Sequence, residues 1–383
     1  DTLVTILRCM DINLEREVNF MAVSSVLGTG IQLANHFNPD SLDEEAVRGH
    51  VRIFSEMGET LCPFFATNIQ NAELRTNLDT LLAILLKCMD LDAEVAVLTL
   101  TFWFRFVDDV LNYNYNFVDV YMSQLNDLIG KCVSLLKYPD DIGNVQEFLE
   151  ENDNFEGNRF AILDLLEDIC RLVGSDYISK QIHARLTPDI VTLEAVLFAF
   201  HGVEKFISPE SIEVANLFHL VSKLVVQVDQ KEFVVNTANL FVGSYANWLV
   251  RSNDANINNN IINYLCKYAQ NPGTQTTSCK CLNKFAGQVP VDLKAITQLY
   301  SSTNWDPKNA VVLVECIAKL ISQCQDMTLV NELLNYLLTV ENAGIFTIYC
   351  EKLTALVQFL PANLVVEVIR HSWDNLAAAA ERD

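Results

Sequence analysis

Asp108-Asp109-Val110-Leu111-Asn112 is the segment of this chain nearest to a catalytic motif. Aspartates spaced along a helix can hold magnesium, because hard cations take carboxylate oxygens. The helical pattern that does this, DDxxD, ends here in Asn112. No second NDxxSxxxE-like element follows, since Asn152-Asp153 leads into Phe155-Glu156-Gly157. The acidic pair therefore reads as the solvent edge of its helix. Gly28-Thr29-Gly30 opens like a dinucleotide-binding turn, but Leu33 stands where the third glycine belongs and no strand precedes it. Cys279-Lys280-Cys281 is a close thiol pair. A structural zinc takes four ligands, and the nearest other thiols, Cys266 and Cys316, fall in separate helical segments, so the pair reads as buried thiols. The six histidines are far apart, and none is spaced to activate a nucleophile. GxxxxGK, HExxH and GxSxG are absent. These residues imply no enzyme, no metal site and no cofactor.

What carries these residues is a succession of helices. Val95, Leu98, Phe102, Phe106 and Val110 repeat at three and four residues along 92–112, and Leu193, Leu197, Phe200, Val203 and Ile207 do the same further on. Similar periodicity predicts helices over 16–37, 41–65, 73–89, 117–137, 159–183, 212–228, 232–251, 260–270, 277–287, 293–300, 308–323, 329–340 and 348–359, with a last one from Ala362. Thr187-Pro188, Ser208-Pro209 and Asp306-Pro307 each set a capping side chain before a proline, and proline at a helix start has no amide to lose. The aromatic run Phe102-Trp103-Phe104-Arg105-Phe106 reads as core, with Arg105 in reach of Asp108, and Trp103 and Trp248 are expected to be buried. Links of about 2–6 residues make neighbouring helices antiparallel. A two-helix unit recurs at roughly 40 residues, the length of HEAT and armadillo repeats. The expected fold is all-α: an α-solenoid, or superhelix, of HEAT/armadillo-like helical hairpins, running as one array over 1–383.

Composition agrees. Half of the 383 residues are hydrophobic, yet 13 glycines and 9 prolines leave no linker-like run. Lys and Arg number 26 against 49 Asp and Glu, a formal charge of −23. Such a surface repels nucleic acid and anionic lipid and draws basic proteins. The 11 cysteines follow no framework spacing, which points to a reducing compartment. No signal peptide is seen, and apolar runs such as Leu81–Leu86 are far short of the ~18 residues a membrane span needs. The chain opens inside a helical pattern, so a longer protein is expected around it.

One connection breaks the pattern. Residues 138–158 hold Asp140, Asp141, Glu147, Glu150, Glu151, Asp153 and Glu156 with no lysine or arginine. Long links in helical arrays are uncommon and often functional. This one is expected to be an extended acidic loop that docks a basic partner. The Asn-rich stretch 252–260 reads as a solvated hinge.

Thr99-Leu100-Thr101-Phe102-Trp103-Phe104 followed by Asp108-Asp109-Val110-Leu111 resembles the central repeats of the karyopherin-β nuclear transport receptors. Asn154-Phe155-Glu156-Gly157-Asn158-Arg159-Phe160 with Asp164-Leu165-Leu166-Glu167-Asp168, then Glu194-Ala195-Val196-Leu197-Phe198, then Gly243-Ser244-Tyr245-Ala246-Asn247-Trp248-Leu249, are similar in order and spacing to the branch containing transportin-SR and importin thirteen. The likeness runs from about Glu73 to Gln323. It implies a HEAT superhelix that binds protein cargo, expected here to be basic. It also implies control by the GTP form of the small GTPase Ran, contact with nuclear pore proteins, and shuttling between cytoplasm and nucleus. Direct nucleic-acid binding and membrane insertion are not implied. Two other readings stay open: a cytosolic HEAT/armadillo scaffold, and, more remotely, a helical magnesium-dependent isoprenoid synthase on Asp108 and Asp109. If the chain is one solenoid, small-angle scattering gives a radius of gyration well above the ~21 Å of a compact chain of this length. A value near that figure would overturn the repeat reading.

Overall fold

Helix follows helix because apolar stripes recur at helical spacing and short polar links separate them. The computed structural model describes residues 2–8, 17–68, 70–113, 118–139, 142, 145–208, 210–225, 228–252, 254–340 and 346–380. Among the described residues every regular element is a helix, and the only bridge of β type joins Ala286 and Val289. The fold is an α-solenoid, as the sequence predicts. The chain divides into two compact units, Asp1–Ser208 and Pro209–Asp383.

The first unit runs α1 (Thr2–Arg8), α2 (Glu17–Asn35), α3 (Glu44–Asn68), α4 (Ala72–Cys88), α5 (Ala93–Ala96), α6 (Leu100–Tyr113), α7 (Val118–Leu135), α8 (Val145–Glu151), α9 (Phe155–Val173), α10 (Ser175–His183) and α11 (Ile190–Val203). It has two layers. In one, α1, α3, α6, α9 and α11 pack in succession; in the other, α2, α4, α7 and α10 do. A single hairpin cannot bury its own apolar face, so each helix packs on the equivalent helix of the next repeat. Gly58 lets α3 and α6 approach, because a Cβ there would collide with the Phe102 ring. Phe102, Trp103 and Phe106 are all buried in this seam.

The second unit runs α12 (Ile212–Ser222), α13 (Val228–Ser244), α14 (Ala246–Ser252), α15 (Ala255–Tyr268), α16 (Pro272–Phe285), α17 (Leu293–Ser302), α18 (Pro307–Ile321), α19 (Met327–Val340), α20 (Phe346–Phe359) and α21 (Ala362–Ala380). One layer is α13, α16, α18 and α20 in succession; across it lie α15 on α16, α17 on α18 and α21 on α20.

Several boundaries differ from the periodicity reading, each for a local reason. The helix expected over 159–183 is two, because Gly174 adopts φ 86° and its N–H closes α9 on the Cys170 carbonyl. That left-handed conformation costs glycine nothing and other residues about 1 kcal/mol or more. The helix over 92–112 begins as short α5, passes through a 3₁₀ turn at Val97–Thr99, and only then becomes α6. Asp306 caps α18 with Pro307 in its first turn, as expected. At α11 the cap is Asp189, which accepts from the Thr192 N–H at 2.8 Å, and Thr187 lies outside the helix. At α12 the cap is Ser211, so Ser208 plays no such part. Asn271-Pro272 caps α16, whose first turn the periodicity missed. The expected hinge at 252–260 is mostly the start of α15, capped by Asp254.

Trp103 and Trp248 are both buried, and Trp248 stacks on Phe218 with ring centroids 5.1 Å apart. Trp248→Ala is expected to cost roughly 3–5 kcal/mol in equilibrium denaturation, as large aromatic deletions from cores do. A loss under about 1 kcal/mol would show that the ring does not carry the seam between α12 and α14.

Candidate functional site

The acidic segment begins where α7 ends. Asp140 and Asp141 lie outside the described residues. The expectation of an extended loop is corrected for the remainder. Glu147, Glu150 and Glu151 sit on α8, Asp153 lies in the turn that follows, and Glu156 is in the first turn of α9. All five side chains are exposed. Glu156 also faces the amino end of the α9 dipole, where a carboxylate is favoured by about 0.3–1 kcal/mol.

The apolar side of α8 explains why it forms. Phe148 lies 6.1 Å from the Tyr138 ring and 5.0 Å from Phe155, and Phe155 lies 5.0 Å from Tyr138. Next to this aromatic trio, one turn after Phe155, comes Arg159. Its guanidinium lies 4.5 Å from the Tyr138 ring centre and 4.0 Å from that of Phe198. Its Nη2 donates to both oxygens of Glu194 at 2.6 and 2.8 Å. Arg159 is 4% exposed and Glu194 fully buried. Burial of the ring also pushes the Tyr138 hydroxyl above its ordinary range. The acidic side chains are thus carried on a backbone fastened by four aromatic rings and a buried ion pair.

Glu151 and Asp153, with Asp92, Glu94 and Lys137, line a cavity of about 600 Å³ between α8 and the ends of α5 and α7. Glu94 is already paired with Arg48, so the cavity presents three further carboxylates and one ammonium. Periodicity alone did not assign Arg159 or Glu194 a role. Their signals were present: one arginine at the end of an acidic run, and one glutamate inside the apolar run Ile190–Val203.

The other candidate motifs resolve differently. Arg105 pairs with Asp109 at 3.2 Å, four residues on, and not with Asp108. Asp109 is 3% exposed, whereas Asp108 is exposed and accepts from Asn112 at 2.6 Å. Each of the two adjacent carboxylates therefore has its own partner, Arg105 for Asp109 and Asn112 for Asp108. Cys279 and Cys281 are buried, and burial pushes both thiols up to about 12. They are protonated at neutral pH, and Cys281 Sγ donates to the Asn239 carbonyl at 2.9 Å. Cys88, Cys132, Cys170 and Cys316 are buried likewise, Cys266 and Cys350 are half-buried, and Cys9 lies outside the described residues. Among the described residues no group of three or more His, Cys, Asp or Glu is placed to hold a metal, and no helix is long and apolar enough to cross a membrane.

The described residues thus form a layered helical array that carries an acidic ridge in its first unit. Residues 42–134 match the family model described as Transportin-3/Importin-13 second TPR domain, so the family likeness starts well ahead of Glu73. Transportin MOS14 of Arabidopsis thaliana is 23% identical over 247 residues, which is 57% of this chain and 24% of that protein. Among solved structures, Importin13 in its cytosolic state superposes with a TM-score of 0.79 at 17% identity, over 97% of this chain and 48% of that one. Kap121p bound to RanGTP superposes at 0.68 and 12% identity, over 98% of this chain and 37% of that one. The chain thus spans about a quarter of the curated relative's length. It is similar, over these stretches, to karyopherin-β transport receptors of the transportin-SR and importin-thirteen branch.

Arg159→Met should cost roughly 3–5 kcal/mol in urea denaturation, because it strands a buried carboxylate. Arg159→Met with Glu194→Leu should recover most of that loss, since no charge is then left unpaired. Equal losses in the single and double variants would mean that the packing of α8, and not the ion pair, fixes this region.

Proposed function

We propose that this chain serves as part of a nuclear transport receptor that acts by binding and not by catalysis. It takes up protein cargo, is controlled by the GTP form of Ran, engages nuclear pore proteins, and shuttles between cytoplasm and nucleus. The observation that carries the reading is the match of residues 42–134 to a transportin-3/importin-13 domain within a solenoid that superposes on Importin13 over nearly its whole length. In such an array each repeat touches only its neighbours, so small shifts at each interface add along it. Cargo and Ran can then oppose one another through shape as well as shared surface, provided each prefers a different shape.

Within that role, the acidic segment is the proposed docking element for a basic partner, either cargo or Ran. Its members are Asp140, Asp141, Glu147, Glu150, Glu151, Asp153 and Glu156. Each exposed pair contributes only ~0–1 kcal/mol, so the segment acts collectively, through association rate. Carrying five of the carboxylates on α8, the turn after it and the start of α9 helps, because little backbone freedom is lost on docking.

The test replaces all seven by Asn and Gln in the full-length protein and follows association with GTP-loaded Ran and with a basic cargo peptide across a salt series. Unmodified protein should bind both, and the neutralised variant should associate with at least one about tenfold more slowly at low salt. The gap should close as the Debye length falls to about 8 Å. Unchanged rates and salt slopes would remove the segment as a docking element. Failure of the unmodified protein to bind either partner would overturn the receptor reading itself.

A further inference from the structure

The first unit holds a second cleft, of the opposite sign. It is a cavity of about 600 Å³ in the layer formed by α4, α7 and α10. Its charged lining is Lys87, Lys131, Lys137 and Arg185 against Asp90 and Asp127. In a chain with 49 acidic and 26 basic residues, a wall where cations outnumber carboxylates two to one is a reversal of composition.

The cations are held in place from several elements. Lys131 of α7 pairs with Asp90 just after α4, which ties two walls together. Arg185, after α10, donates from Nη2 to the Asn126 carbonyl and side-chain oxygen of α7, both at 3.1 Å. Its Nε is buried with no hydrogen-bond partner. Gly130 gives it room: a Cβ there would sit 3.0 Å from the guanidinium carbon, so the arginine would have to shift by a few tenths of an ångström. Lys87 is exposed at the rim and Lys137 half-buried.

We propose that this cleft is a docking site for a short acidic peptide segment of a partner protein, bound through its carboxylates. Two features select that ligand. The lining carries two more positive than negative charges, which suits a pair of carboxylates. The cleft also shares Ser134 and Lys137 with the cavity under Glu151 and Asp153, so a longer polyanion such as nucleic acid would run into like charge. The site borders the acidic ridge at Lys137, and the proposal does not rest on Ran or basic cargo binding to that ridge.

The test uses the full chain and a fluorescein-labelled peptide containing two glutamates among glycine and serine, with its glutamine counterpart as control, followed by anisotropy at low salt. The glutamate peptide should bind measurably tighter than the glutamine peptide. Lys87→Glu with Lys137→Glu should weaken it roughly tenfold, whereas neutralising Glu147, Glu150 and Glu151 should leave binding equal or tighter. A second readout needs no variant: acetic anhydride should modify Lys87 and Lys137 more slowly when the glutamate peptide is present. Equal binding of the two peptides, unchanged affinity in the charge-reversed variant, unaltered lysine labelling, or stronger competition from a single-stranded RNA oligomer than from unlabelled peptide would each overturn the proposal.

Discussion

Glu194 sits fully buried in the middle of α11, a helix otherwise dominated by Ile, Val, Leu, Ala and Phe. An isolated carboxylate there would cost several kcal/mol, so α11 can join its layer only if a cation reaches it. Arg159 does so from the first turns of α9, and its remaining surface is covered by the Tyr138 and Phe198 rings. One guanidinium therefore fixes the end of α7, the start of α9 and the face of α11 relative to one another. The placement of α8 follows, because Phe148 and Phe155 pack on the same tyrosine. The described part of the acidic stretch, from Glu147 to Glu156, becomes a ridge of defined geometry.

The second unit solves a related problem with neutral groups. Asn239, fully buried on α13, donates to Thr277 and Ser278 of α16, each at 2.9 Å. Asn309 of α18 donates to Gln275 and Thr276 of α16 at 3.0 and 3.1 Å, and Gln275 accepts in turn from the Asp306 N–H at 2.9 Å. Apolar helices of similar width can slide past one another at little cost. A buried amide cannot leave its partners without a penalty of about 1–3 kcal/mol, so these rungs set the register of α13, α16 and α18. The two units thus use different chemistry for one requirement, that helices of adjacent repeats meet at a single offset.

Much of this was legible in the sequence because solenoid architecture is periodic and local. Val95, Phe102, Phe106 and Val110 are buried as their spacing implies, and Leu98 is half-buried because it falls in the 3₁₀ turn. The misreadings cluster where one residue decides between continuing and stopping a helix. Gly174 looks like a tolerated interior glycine until its φ is known. Asp189 and Thr187 are both plausible caps, and the stronger acceptor wins. The acidic segment looks like a loop because its charges surround Phe148 and Phe155, which lie on two helices separated by a turn, so no single helical period joins them. Partnerships such as Arg159 with Glu194 or Asn239 with Ser278 are 35 and 39 residues apart. Periodicity carries no information about them, although a charge or an amide set in an apolar run announces that some partner exists.

Net charge of −23 can be read as solubility alone, and much of it is spread along exposed helix faces. Its arrangement in the first unit argues for more. The carboxylates of α8 and the cations of the α4–α7–α10 cleft meet at Lys137, so a strongly negative surface and a positive one share a border. Solubility needs no such border, and ordinary stability is not improved by gathering like charges. A border of opposite sign does what uniform charge cannot, since it distinguishes the two ends of a bound segment. A partner carrying basic and acidic stretches in sequence would be attracted in one orientation and repelled in the reverse, and across an interface electrostatic complementarity acts on specificity and approach rate more than on affinity. For a receptor of the proposed kind, which must take up and release its partners, orientation and rate without excessive affinity are the properties such a surface supplies.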